Sequence, residues 1–355
     1  MDSIEIKGYK SIESVRIDLR PINILIGANG SGKSNFISFF TFLNRLYNKK
    51  LSEYVELSGG ANKILHNGIK KTKEISFKVE FERGGNGYSS TLAAGEEGFV
   101  FTDERLTSNS DKWVNICKYT KEAYIKDTDN LRAKYVIKYL NGFRKYHFHD
   151  TSINSAFTNM SHIENDIYFL YGDGSNLAAF LYKIKKTNKL AYNKIVKTIQ
   201  SIAPYFSDFY LQPNSKKYIR LQWSDKFSET IYGPTDLSDG TIRFIALTAL
   251  LMQPDLPDTI IIDEPELGLH PKAIAKLSGM IKSVTAKGSQ VIVATQSADL
   301  IGHFDPEDII VVDQFDGKSD FKRLDSTELS LWLENYTIDD LWKRSIIPTG
   351  QPGFR

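Results

Sequence analysis

The sequence is nearly devoid of cysteine. Cys117 is the only one among 355 residues, which excludes an internal disulfide framework and fits a reducing compartment. No long hydrophobic run is present either. The longest strongly apolar stretch, Phe244 to Met252, is far short of the ~20 residues that a membrane-spanning helix needs. The start of the chain, Met1-Asp2-Ser3-Ile4-Glu5, has neither a basic leader nor an apolar core, so no secretory signal is expected. An excess of one charge is missing as well. Lys and Arg number 45 against 43 Asp and Glu, a formal net charge of +2, so there is no global basic signal for nucleic acid. Internal repeats and low-complexity tracts are absent. What remains is an ordinary globular composition, 41% hydrophobic and 25% charged, on a chain long enough for a sizeable core. A cytoplasmic protein with no membrane association is expected.

The most informative stretch is Gly27-Ala28-Asn29-Gly30-Ser31-Gly32-Lys33-Ser34, which matches the phosphate-binding pattern G-x-x-x-x-G-K-[ST]. Ile22 to Ile26 before it is short, apolar and rich in β-branched residues, fit for a buried strand. Asn35 to Leu43 after it is mostly apolar with helical length. Glycines allow a tight loop whose N–H groups point inward at phosphate oxygens, and the helix N-terminus adds partial positive charge. In such a loop Asn29, Gly30, Ser31, Gly32 and Asn35 surround the phosphates. Lys33 reaches the β- and γ-phosphates of ATP, and the Ser34 hydroxyl holds Mg²⁺.

Ahead of this loop, Ile4 and Ile6, then Val15, Ile17 and Leu19, alternate with polar neighbours and predict a hairpin turning near Gly8 to Ser11. Residues 48–73 are polar, basic and irregular. Glu74 to Arg83 alternates again, Gly84-Gly85-Asn86-Gly87 is a turn signal, and Tyr88 to Leu92 is expected to pair back. Gly98 to Thr102 adds a further expected strand, and residues 103–135 are poorly periodic. Leu177 to Lys185 and Ala191 to Ile202 have helical apolar spacing. Their lysines (183, 185, 186, 189, 194 and 197) read first as a solvated face. Short strands are expected at Phe209 to Leu211 and Tyr218 to Trp223, and loose structure from Pro348 onward.

Three later features carry chemistry. Leu237-Ser238-Asp239-Gly240-Thr241 opens an apolar helix from Ile242 to Met252 and by itself is an N-cap with an acidic first turn. Thr259 to Pro265 is a buried strand ending in Asp263 and Glu264, the pattern in which the aspartate supports Mg²⁺ and the glutamate polarises attacking water. Gln290 to Ala294 is another strand, ending in Thr295-Gln296-Ser297, and Ile309 to Val312 is a last one. A helix is expected between these strands at Ala273 to Ala286, and two short helices near the end, at Leu329 to Tyr336 and Ile338 to Lys343. Tyr146-His147-Phe148-His149-Asp150 allows two readings. His147 and His149 share a strand face and could join Asp150 at a metal, or the segment could simply pack at the edge of the nucleotide site.

A phosphate loop, an L-S-x-G helix opening, an apolar strand ending in Asp-Glu and a strand ending in Thr-x-Ser, in that order, resemble the ATP-binding-cassette superfamily. The likeness is to its RecF-like and SMC-like group, which takes in AAA_21 and overcoming-lysogenization-related ATPases, and within it to short ATPases of bacterial antiphage defence systems. It spans nearly the whole chain, including Tyr146 to Ser152, Gly172 to Leu181, Ile261 to Pro271, Ala294 to Leu300 and Trp332 to Trp342.

The implied fold is α/β: one ATPase head over 1–355 with a mixed P-loop sheet, an N-terminal antiparallel β lobe and an inserted helical lobe. Its expected parts are 1–102 with the P-loop, 103–236 as the insertion, and 237–355 with the signature and acidic motifs. The resemblance makes Leu237 to Gly240 the signature loop, with Ser238 and Gly240 at the γ-phosphate held by the opposite protomer. Asp263 supports the metal, Glu264 is the catalytic base, and Leu267 to His270 crosses the dimer interface. Gln296 stands where many relatives place a switch histidine, and Asp239 replaces the usual second glycine. No Q-loop is unambiguous; Asn159 and His162 lie where one is expected.

These roles imply a homodimer closed around two ATP molecules, open to higher assembly, and released by hydrolysis. The partner is then a separate effector, a nuclease or toxin, or DNA or RNA, with antiphage defence as the setting. A DNA-maintenance clamp is the alternative. A transporter subunit fits less well, because 202 residues separate Ser34 from Leu237 with no permease-coupling segment. The 42 residues after Asp313 are too few for a nuclease domain, and sustained heptads of a condensing rod are missing. A scaffold without turnover is disfavoured by Lys33, Ser34, Asp263 and Glu264 all being present.

Overall fold

The structure is a computed structural model that describes residues 1–95, 98–108 and 112–347. The tail from Pro348, expected to be loose, lies outside the described residues. Along the chain come β1 (Ser3–Tyr9), β2 (Ile12–Asp18), β3 (Ile22–Ile26), α1 (Lys33–Tyr47), β4 (Glu74–Phe81), β5 (Asn86–Gly95), β6 (Gly98–Ser108), α2 (Leu131–Asn141) and β7 (Phe143–Tyr146). Then follow α3 (Leu177–Thr187), α4 (Lys189–Gln200), β8 (Phe206–Phe209), β9 (Trp223–Asp225), α5 (Asp239–Met252), β10 (Thr259–Asp263), α6 (Pro271–Thr285), β11 (Gln290–Thr295), β12 (Ile309–Phe315) and β13 (Lys318–Arg323). The chain divides into two compact units. The first comprises residues 1–143, 294–301 and 305–355, and the second 144–293 and 302–304.

In the first unit the expected hairpin of β1 and β2 is antiparallel, with Ile4 facing Ile17 and Ile6 facing Val15. It extends through β4, β5 and β6 into an antiparallel sheet of order β2-β1-β4-β5-β6 plus the short pair Val114–Asn115. Alternation explains why these segments are strands: Ile75, Phe77, Val79 and Phe81 all point into the core. β3 is buried at every position, as befits a strand covered on both faces. It runs parallel to β12, and β12 pairs antiparallel with β13.

The core of this unit is aromatic. On α1, Phe36, Phe39, Phe40 and Phe42 are all buried. Phe39 meets Tyr9 edge-on with centroids 5.3 Å apart and Phe77 at 5.6 Å, and Phe77 meets Tyr88 at 5.5 Å. Aromatic edges against faces hold α1 on the sheet, so the position of the phosphate loop follows from this packing.

In the second unit α5 is buried at every position from Ile242 to Leu251, as expected of a helix that is apolar all round. It contacts α3, α4 and α6. β11, β10 and β7 are hydrogen-bonded neighbours in that order. A three-stranded antiparallel patch of β8, β9 and Ile231–Tyr232 is glued by Trp223, which stacks on Phe206 and Tyr232.

Several local expectations are corrected. Residues 48–73 contain helical turns at Leu51–Leu57 and Ala61–Ile64, the first anchored by Glu122, whose carboxylate accepts from the N–H groups of Leu51 and Ser52. The poorly periodic 103–135 holds most of β6 and the start of α2. Tyr218 to Trp223 is not one strand, because Tyr218–Ile219 pairs with Ser161–His162 while Trp223 pairs with β8. β13 was not anticipated; its Lys-Ser-Asp-Phe-Lys-Arg run is half-exposed, so little apolar pattern marks it. Among the described residues no helix is long and apolar enough to cross a membrane.

Candidate nucleotide site

In the first unit the expected strand, loop and helix follow one another without spare residues. Gly30 (φ +82°) and Gly32 (φ +117°) are left-handed, a region that costs an L side chain roughly 1–2 kcal/mol. Gly27 is needed for a different reason: a Cβ there would lie 2.1 Å from the carbonyl oxygen of Val312 on β12. Beside Gly30 nothing stands within 4 Å of such a Cβ, so the loop crest faces open space.

Lys33 is buried and curls back over the loop, its Nζ donating to the carbonyls of Gly27 (2.7 Å) and Ala28 (2.9 Å). Ser31 Oγ is buried with no hydrogen-bond partner among the described residues. The N-cap residue of α1, Gly32, brings no side-chain cap, and no acidic residue occupies the first turn. A buried cation, an unpartnered hydroxyl and an uncapped helix start together fit a phosphate chain. Asn29 and Ser34 are exposed, and Ser34 in the first turn could hold Mg²⁺. Asn35 is tied sideways, its Nδ2 donating to Ser11 Oγ at 2.7 Å. Gln296 is exposed, while its neighbours cap locally: Thr295 Oγ1 accepts from Ser297 N, and Ser297 Oγ from Leu300 N.

In the second unit Asp263 ends β10 and Glu264 follows at φ +43°. A left-handed non-glycine residue is locally strained, a feature that gathers at functional sites. Ser238 is the N-cap of α5, its Oγ accepting from Thr241 N at 3.3 Å. Gly240 lies against the Leu267 to His270 loop so closely that a Cβ would stand 2.2 Å from the Gly268 carbonyl oxygen. Gly240 is therefore seated directly on the loop that follows Glu264. The loop ends with His270, whose Nδ1 accepts from Lys272 N as the N-cap of α6.

His147 and His149 do share a face, their rings 3.8 Å apart. His149 Nε2 lies 3.0 Å from the Asp263 carbonyl oxygen, and His147 Nδ1 is 3.8 Å from Asp263 Oδ2. Burial and the neighbouring His149 hold the His147 pKa below the ordinary imidazole value, against the pull of Asp263. Asp150 turns away and accepts from Ser152 N. Among the described residues no three His, Cys, Asp or Glu side chains are grouped so as to hold a metal ion. Asn159 and His162 are engaged locally: Asn159 N donates to Ala156 O, and the His162 ring meets Tyr218 edge-on.

Arg243 was invisible to sequence reasoning. It is buried in α5, and its Nε donates to Phe148 O (3.0 Å), Nη1 to Leu267 O (2.9 Å) and Nη2 to His149 O (2.7 Å).

Set beside solved structures, the fold is similar to that of SMC head domains. The chain is similar to an Smc head bound to the C-winged helix domain of ScpA, with a TM-score of 0.61 at 18% identity over 93% of this chain and 99% of that one. A second likeness is to a Pyrococcus furiosus Smc head with an extended coiled coil, bound to the C-terminal domain of ScpA (TM-score 0.58, 16% identity, 94% and 98% covered). The chain belongs to the AAA_21 family, described as "AAA domain, putative AbiEii toxin, Type IV TA system", whose model matches residues 22–302. Among curated proteins it is similar to the energy-coupling factor transporter ATP-binding protein EcfA of Methanocaldococcus jannaschii, 28% identical over 127 residues, 32% of this chain and 43% of that protein. EcfA2 of Lactococcus lactis is 30% identical over 81 residues, 23% of this chain and 27% of that protein. The chain thus spans less than half the length of these curated relatives.

Proposed function

We propose that the chain binds Mg²⁺·ATP, closes on it as a homodimer and hydrolyses it slowly to control a separate effector, a nuclease or toxin, or engagement with nucleic acid. Residues 1–355 act as one head in the cytoplasm, and antiphage defence is the proposed setting. The observation that carries the reading is the loop of the first unit, where Lys33 is buried between two loop carbonyls beside an unpartnered Ser31 hydroxyl. Lys33 and the loop N–H groups bind the phosphates, and Ser34 and Asp263 support Mg²⁺. Glu264 takes the proton of the attacking water. Gln296 donates a hydrogen bond toward the γ-phosphate, while Ser238 and Gly240 of the partner protomer close over it. Loss of that phosphate releases the interface, so ATP works as a switch. The Smc head found with a domain of ScpA supports a protein partner for a head of this fold.

The test is phosphate release from the pure protein together with light scattering. Wild type is expected to turn over and Glu264→Gln to accumulate as a dimer with saturating Mg²⁺·ATP. A Glu264→Gln protein that stays monomeric contradicts the clamp. A second reading, the ATPase of a transporter, is favoured by the names of the curated relatives. A pull-down with Glu264→Gln from the native host separates the two, a permease supporting the transporter and a toxin or nuclease the controller.

A further inference from the structure

We propose that Arg243 is a positioning residue for the water-activating carboxylate of Glu264, acting through the main chain on both sides of it. The proposal rests on the ATPase reading above.

Arg243 is buried and faces three main-chain carbonyls, with each of its three guanidinium nitrogens donating to one of them. A buried guanidinium is costly to keep unless every donor is matched. One acceptor, Leu267 O, lies three residues after Glu264 in the loop that leads to α6. The other two, Phe148 O and His149 O, belong to the segment whose His149 ring reaches the carbonyl of Asp263, one residue before Glu264. The backbone on either side of Glu264 is therefore held, directly on one side and through His149 on the other. Between the two holds Glu264 keeps a left-handed backbone, which an L residue leaves readily unless its surroundings over-determine it. Gly240 lets α5 come close enough for Arg243 to reach, because any Cβ there would strike the Gly268 carbonyl. Arg243 acts through the main-chain carbonyls that it binds. Its effect is to keep the Glu264 carboxylate aimed, and displacement of about 1 Å is enough to cost roughly a hundredfold in rate. Supporting partners of this kind typically cost 10–100-fold in activity when removed.

Arg243→Lys keeps the cation but gathers its donors on one nitrogen, out of reach of three carbonyls spaced around a guanidinium; Arg243→Gln loses the cation. With the full chain, Arg243→Gln is expected to lower kcat about 10–100-fold with ATP affinity within about twofold, and Arg243→Lys to fall between it and wild type. Hydrogen exchange is expected to quicken at residues 147–150 and 264–270 and to stay unchanged in residues 27–35. His149→Ala removes only the Asp263 hold and is expected to slow turnover in the same way. The Arg243→Lys/His149→Ala pair should fall short of additivity, and the single His149→Ala variant carries the test if the arginine variants do not fold. Unchanged kcat in Arg243→Gln overturns the inference and leaves the ATPase reading intact. Loss of ATP binding together with exchange throughout the protein marks an arginine variant that does not fold, and His149→Ala then decides: unchanged kcat there overturns the inference. Absence of turnover in wild type defeats the ATPase reading instead, and the exchange pattern still decides whether Arg243 holds the two segments.

Discussion

The hydroxyl of Ser319 donates a 2.7 Å hydrogen bond to the carbonyl of Ser31, across 288 residues of sequence. Ser319 Oγ is also 2.7 Å from Ser11 Oγ, which accepts from Asn35. The phosphate loop is thereby tied on one flank to β13 and to the turn between β1 and β2. Ser319→Ala is expected to weaken nucleotide binding about 2–10-fold, the size of one buried hydrogen bond, while leaving the maximal rate near wild type. Titration with a fluorescent ATP analogue checks this.

Lys33→Ala is expected to abolish measurable nucleotide binding, because the phosphates lose the cation that the loop keeps buried. Unchanged ATP affinity by calorimetry would refute the assignment of this loop.

Two glycines in helices should respond with opposite signs. Gly240→Ala places a methyl 2.2 Å from the carbonyl oxygen of Gly268, and backbone cannot move aside cheaply. It is expected to cost about 1–3 kcal/mol in urea unfolding and to suppress phosphate release. Gly279, in the middle of α6, has nothing within 4 Å of the same position. Gly279→Ala should stabilise by about 0.5–1 kcal/mol with activity unchanged.

Glu104 is fully buried and accepts from Tyr88 Oη, Tyr124 N and Ile125 N. Burial raises its pKa above the ordinary carboxyl value, against the pull of those hydrogen bonds. A carboxyl raised by folding favours the folded state below its unfolded pKa. That contribution is lost as pH rises through the folded value. Unfolding measured from pH 4 to pH 7 should therefore move the stability difference in favour of Glu104→Gln as pH increases; a difference that is flat or moves the other way contradicts the raised pKa. Glu104→Ala leaves the Tyr88 hydroxyl and two N–H groups buried without an acceptor and is expected to cost about 2–4 kcal/mol.

The strands and helices that the sequence made legible are those with a clear apolar period and a sharp start. β1, β2 and β4 alternate, β3 is an unbroken apolar run, and α5 begins at a serine cap. Elements were missed where burial is partial or borrowed. Helix Leu51–Leu57 buries only Leu51 and Val55 and owes its start to Glu122, 71 residues away from Leu51. β13 is mostly polar and pairs with β12. The paired histidines could be placed on one face from their spacing, but only packing shows their rings tilted against each other and the Asp150 carboxylate accepting from Ser152 N.

What the sequence alone determined is the class of the protein and the order of its motifs, because a glycine loop with Lys-Ser, an L-S-x-G opening and an Asp-Glu strand end are written in residue types at short spacing. What only the tertiary structure decided is how those motifs are held. Ser319 beneath the phosphate loop and Arg243 behind Glu264 both bind backbone carbonyls, and every residue type carries the same carbonyl. A recognition made by main chain leaves no mark on the side chains of the segment recognised, so it comes into view only when the chain is folded.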